Sequence, residues 1–172
     1  MEYAGVLPAP NMRSELDVIR ELYRYNSRVR KKYLKVIWRL PNKKRYKARG
    51  ASFPSIVDIF LHVLDAYRWW FRTVYASDPG WTEYPLGQRL SRAEAAREER
   101  ATDRLVLGIL AKIRPTDLSK TFKIPGAGAG ARRISLRVLL LHMAEEELQH
   151  RGEMNALLWQ ENVDPPISGF GE

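Results

Sequence analysis

The sequence predicts an all-α fold, a four-helix bundle with a long loop between helices three and four. Two observations carry this expectation. Apolar residues recur at three- and four-residue spacing over four separate stretches of helical length. Each stretch is bounded by serines suited to capping, or by prolines and glycines. Composition agrees: 45% of the 172 residues are apolar, including five Trp, eight Tyr and five Phe, which suits one folded domain over 1–172.

The first helix is expected from about Ser14 to Leu40. Ser14 can cap, Asp17 follows at the third helical position, and Pro41 stops the run. Its inner stripe reads Leu16, Ile19, Leu22 or Tyr23, Asn26, Val29, Tyr33 and Ile37. Residues 41–52 read as a basic loop. Ser52 is the expected cap of the second helix, because Pro54 then falls in the first turn, where a missing N–H costs nothing. That helix reaches about Ala76, and Ser77-Asp-Pro-Gly80 opens a loop running to Leu90. Ser91-Arg-Ala-Glu94 is a capping box for the third helix, which must end before Pro115. A 20-residue connection, 115–134, follows; a loop of that length in a compact domain is usually functional or mobile. Within it, Lys120 to Pro125 suits a short strand. The run Gly126 to Gly130 lacks the GK[ST] signature and a preceding buried strand, so it is no phosphate loop. Ser135 caps the fourth helix, expected to about Glu161, and the tail from Asn162 to Glu172 should lie on the surface.

With no cysteine, the chain has no disulfide, thiolate ligand or Cys nucleophile, which fits a reducing compartment. No stretch approaches 18 uncharged apolar residues, and residues 1–13 do not resemble a signal peptide, so a cytoplasmic protein without membrane spans is expected. The net charge of +9 is unevenly placed: eleven Lys or Arg, and no acid, lie between Arg28 and Arg49. Such a run suits nucleic acid, an acidic membrane surface or an anionic substrate, or simply a solvated helix end. No helix-turn-helix, zinc-finger or RNP-type motif accompanies it, so nucleic acid is the lesser reading.

The three histidines carry the chemistry. His142, Glu146 and His150 are four residues apart, stacking along one helical face beside Leu139, Met143, Met154 and Leu157. His62 interrupts the apolar stripe Ile59, Ala66, Trp69, Thr73 of the second helix. Three imidazoles and a carboxylate converging in a bundle suit a divalent ion, and imidazole with carboxylate suits Zn, Ni, Fe or Mn. The competing reading makes His62 a satisfied core residue and pairs Glu146 with an Arg, either Arg151 or one from the first helix. Glu145 and Glu147, about 100° to either side, read as solvent-facing.

The chain resembles the DinB/YfiT-like superfamily of metal-dependent proteins, the DNA-damage-inducible family rather than the polymerase. Tyr25-Asn26 is similar to its first-helix landmark, and Ser52 to His62 followed by Trp69-Trp70 to its second-helix pattern. Leu140 to Glu153, with His150-Arg-Gly, resembles its fourth-helix run, and Asn162 to Pro166 its tail. Together these span residues 20–166. The resemblance implies up-down-down-up connectivity, a homodimer, and a metal held by one His of helix two and two of helix four. Carried over by position, the ligands are His62, Glu146 and His150, with Glu in place of the middle His; His142 is a fourth ligand or a supporting partner. Gln149 and Glu153 also depart from common family choices. The implied activities are thiol-dependent transfer or isomerisation, or hydrolysis, on an unidentified small molecule. The alternative is a non-enzymatic dimeric stress-response bundle with structural metal or none.

Overall fold

The computed structural model describes residues 13–126, 132–166 and 169. Most of the expectation for Gly126 to Gly130, part of the tail and nearly all of residues 1–13 lie outside the described residues. Four long helices form the bundle: α1 (Glu15–Ile37), α3 (Ile56–Arg68, extended by a π-helical stretch Trp69–Tyr75), α4 (Arg92–Lys112) and α5 (Leu136–Trp159). A single-turn helix, α2 (Asn42–Arg45), breaks what the sequence suggested was an open basic loop.

Local chemistry explains the boundaries. Ser14, Ser91 and Ser135 cap α1, α4 and α5, each accepting a backbone N–H three residues on. The expected cap Ser52 is not the cap of α3. Ser55 is, because Asp58 at its third position closes a reciprocal capping box that Ser52, with Ser55 three residues on, cannot form. Ser52 instead donates its hydroxyl to Glu153 on α5. The connection 115–134 opens with a 3₁₀ turn, Pro115–Ser119, and carries strand β1 (Thr121–Lys123), which pairs antiparallel with β2 (Arg133–Ser135) in the register Phe122↔Ile134.

Cross-helix contacts fix the direction of each helix. On α1, Tyr23 donates to the Leu140 carbonyl, Arg30 to Glu147 and Tyr33 to Asn155, so α1 and α5 run parallel. Arg20 reaches the carbonyls of Leu110 and Ile113, whereas Ser27 meets Asp103, so α4 runs opposite to α1. Trp70 packs on His142 and His62 faces Glu146, while Ser52 reaches Glu153, so α3 is antiparallel to α5. The connectivity is therefore up-down-down-up, and the 77–90 loop carries the chain between the two helices that descend.

Two apolar clusters fill the bundle. Leu16, Tyr23, Phe71 and Leu140 lie in one, and Val29, Ile37, Phe60 and Leu158 in the other. Where they meet sits a buried ionic network. Glu147 accepts from Arg30 (2.6 Å), Arg151 (3.2 Å) and the Tyr67 hydroxyl (2.7 Å), and Arg30 continues to Asp103 at 2.5 Å. Glu147 is 2% exposed, so its expected solvent position is wrong; Glu145 does lie in solvent. Buried charges persist only when paired and hydrogen-bonded, and α1 supplies the partner that sequence spacing does not reveal.

At least five of the eleven basic residues in the run make contacts within the molecule. Arg30 belongs to this network, Lys31 pairs with Asp103, Lys44 and Arg49 with Glu161, and Arg45 lies over Trp38. Among the described residues no helix is long and apolar enough to cross a membrane.

Candidate metal centre

The i, i+4 spacing of Glu146 and His150 puts both on the face of α5 turned to α3, and the antiparallel crossing sets His62 opposite them. Nε2 of His62 and Nε2 of His150 each lie 3.1 Å from the same oxygen, Oε1 of Glu146. One donor atom from each of the three lies within 4.8 Å of the others. Donors on a tetrahedral ion with bonds of about 2.1 Å stand about 3.4 Å apart, so both contacts to Glu146 are near the spacing that one ion spans. Among the described residues no arginine competes for Glu146: Arg151, the expected rival, is bound to Glu147, Asn26 and Tyr25. Burial alone raises the pKa of Glu146, but the two imidazoles outweigh it and hold the carboxyl below its ordinary value.

The surroundings position the rings. Phe53 stacks on His62 with centroids 4.2 Å apart and meets His150 edge-on at 5.7 Å. Glu153 Oε1 lies 3.4 Å from Nδ1 of His150, behind the ring, although not aligned as a hydrogen bond. A carboxylate behind a ligating imidazole orients it and raises its basicity, and Ser52 in turn holds Glu153. Gln149 is exposed and takes no part. His142 stands at the rim, packed edge-on against Trp70, and it groups with Glu145 and Glu146 rather than with His62 and His150.

Beside the cluster opens a cavity of about 310 Å³, bounded by His62 and Glu146, the indoles of Trp69, Trp70 and Trp81, and the carboxylates Asp65 and Glu83. Sequence reading missed Asp65 and Trp81. Asp65 was findable, since it follows His62 by three residues and shares its face. Trp81 was not, because it enters from the irregular 77–90 loop. The π-helical stretch starting at Trp69 widens the helix where it meets the cavity; single π turns often occur at functional sites. Burial is the main influence on Asp65, pushing its pKa up to about 6 against the Tyr84 N–H, Arg68 and Trp81, with Glu83 adding to the rise.

Comparison with known proteins agrees with the geometry. The DinB family model matches residues 12–168. Protein DinB of Bacillus subtilis (strain 168) is 26% identical over 169 residues, covering 88% of this chain and 90% of its own length. The crystal structure of a DinB-like protein from Bacillus cereus ATCC 10987 superposes with a TM-score of 0.69 at 17% identity, over 87% of this chain and 94% of that one, which is a likeness of fold. With the bundle, its connectivity and the match along nearly the whole chain in agreement, the chain belongs to the DinB family.

Proposed function

We propose that the protein is a metal-dependent enzyme in which His62, Glu146 and His150 hold one divalent ion at the floor of the tryptophan-lined cavity. The observation that carries this reading is the convergence of two imidazole nitrogens from two helices on one carboxylate oxygen. Without an ion, that arrangement places three polar groups in a half-buried, largely aromatic setting. The donor set suits Zn, Ni, Fe or Mn. When bound, such an ion acts as a Lewis acid that lowers the pKa of a water or thiol. The chain has no cysteine, so a thiol activated there belongs to a substrate or co-substrate. The chain's own part is to keep the Glu153 carboxylate behind His150, shield the site with Phe53, and offer the cavity to a small molecule.

A homodimer fits the outer face of α5, where Val138, Leu141 and Leu148 are exposed at helical spacing. That face is also what a non-enzymatic bundle would use, so metal content tests the metal centre itself and separates it from the metal-free form of the alternative. Elemental analysis of the purified protein, with calorimetric titration of zinc, nickel, iron(II) and manganese(II), is the test. One equivalent of metal that is lost in both His62→Ala and His150→Ala supports the metal centre on which the enzyme reading depends; no metal in any preparation supports the metal-free, non-enzymatic dimer.

A further inference from the structure

The cavity beside the histidine cluster has a chemical character of its own. The protein carries a formal charge of +9, yet the cavity is bounded by three carboxylates, Asp65, Glu83 and Glu146, and by no Lys or Arg among the described residues. Three indoles form its walls, with Trp69 and Trp70 crossed edge-to-face, centroids 4.7 Å apart. Asp65 is only 3% exposed. Its Oδ2 is fixed by the Tyr84 N–H at 2.9 Å, whereas its Oδ1 is buried and has no hydrogen-bond partner. The Trp81 indole N–H, on the same cavity, makes no well-formed hydrogen bond either; it acts on the Asp65 carboxylate only as a weak donor that favours its charge. Arg68, whose charge acts on Asp65, has its hydrogen bonds elsewhere, to Glu98 (2.8 Å), Thr102 (3.1 Å) and the Tyr84 hydroxyl.

A buried carboxylate oxygen without a well-formed hydrogen bond at a cavity wall is costly, and a stronger donor brought by a ligand would offset that cost. Indole faces attract cations, and a carboxylate-lined pocket repels anions. We infer that this cavity binds an organic small molecule through a protonated primary amine, which donates to Asp65 and lies against the indoles. This rests on the reading above only in placing a ligand beside the His62–Glu146–His150 cluster. If a metal ion takes up the charge of Glu146, Asp65 and Glu83 still leave the cavity anionic.

The test compares phenethylamine, phenethyl alcohol and hydrocinnamate on the full chain, metal-free and zinc-loaded, by tryptophan fluorescence and calorimetry. The amine is expected to bind about tenfold more tightly than the alcohol, with the carboxylate weakest. Asp65→Asn should erase the preference for the amine, and exposed Glu83→Gln should weaken amine binding a few-fold without touching the fold. If Asp65→Asn does not fold, Glu83→Gln and Trp81→Phe carry the test, each losing affinity for the amine more than for the alcohol. Equal affinities for amine and alcohol, or no binding of the amine, overturn the inference. Zinc uptake on the same samples keeps the two readings apart. Zinc bound without amine preference sinks only this inference; amine preference without zinc sinks only the metal centre.

Discussion

Glu146 and Glu147 are neighbours on α5 that serve two separate polar systems. Glu146 faces the histidines at the α3 side, and Glu147 carries Arg30 and Arg151 at the α1 side. A step of about 100° along a helix is enough to turn consecutive side chains to different neighbours. The pattern repeats one turn later, where His150 joins the first system and Arg151 the second. The candidate metal centre is therefore backed by a rigid ionic layer in the same two turns of α5.

Metal should stabilise the fold. An ion joining α3 and α5 binds the folded state alone, so chelation should lower the melting temperature and metal return restore it. At metal about a hundred times above Kd the shift should be about 5–10 °C for a chain of this size. Glu146→Gln removes the only anionic ligand and should shrink the shift, whereas Glu146→His should keep it. Melting curves with and without chelator check this; curves indifferent to both chelator and Glu146→Gln would remove its support.

Glu147→Ala should be far more damaging to stability than Glu146→Ala in metal-free protein. The change leaves Arg30 and Arg151 buried without their shared carboxylate and strips the Tyr67 hydroxyl of its acceptor. Removing one partner from a buried ionic pair costs about 3–5 kcal/mol. Urea denaturation of the two variants, side by side with wild type, measures the difference; equal losses would contradict it.

These two carboxylates also mark the limit of what the sequence reveals. Helix ends were legible where one serine stood alone, as at Ser14, Ser91 and Ser135, because capping is decided within four residues. Two serines flanking Pro54 made the start of α3 ambiguous, and the Asp58 carboxylate settled it for Ser55. The spacing of Glu146 and His150 and the apolar setting of His62 pointed to the cluster. Glu147 was misread because α5 packs against both α1 and α3, burying an arc wider than one stripe. Nothing local distinguishes a solvent glutamate from one whose arginine lies 117 residues away. Trp81 escaped for a similar reason: its place comes from the path of a loop.

The basic run from Arg28 to Arg49 should bind generic DNA weakly at physiological salt. Four of its eleven charges, Arg30, Lys31, Lys44 and Arg49, are paired with Asp103, Glu147 and Glu161, so fewer are free to release counterions together than the run suggests. Fluorescence anisotropy against a labelled duplex across a salt series checks this. Tight binding with a steep salt slope would bring the nucleic-acid reading back.

The last prediction concerns pH. Glu99 is buried on α4, and its pKa is pushed up to about 7, first by burial and then by Asp103, against the pull of Arg30 and Lys31. The unfolded chain releases that proton near the ordinary glutamate value, so the folded state holds it through the interval between. Folding stability contributed by this group is thus highest in acid, falls as pH rises toward 7, and stays reduced above it. Asp65, with its pKa pushed up to about 6, acts in the same direction over a lower range. Glu99→Gln removes the first effect, so the variant should gain on wild type from pH 5 to about pH 7 and hold that gain to pH 8. The comparison between variant and wild type cancels Asp65, which is common to both. Melting temperatures at four pH values across that range are enough. A difference between the two proteins that stays flat with pH would show that Glu99 keeps its charge in the fold, with Arg30 and Lys31 prevailing over burial.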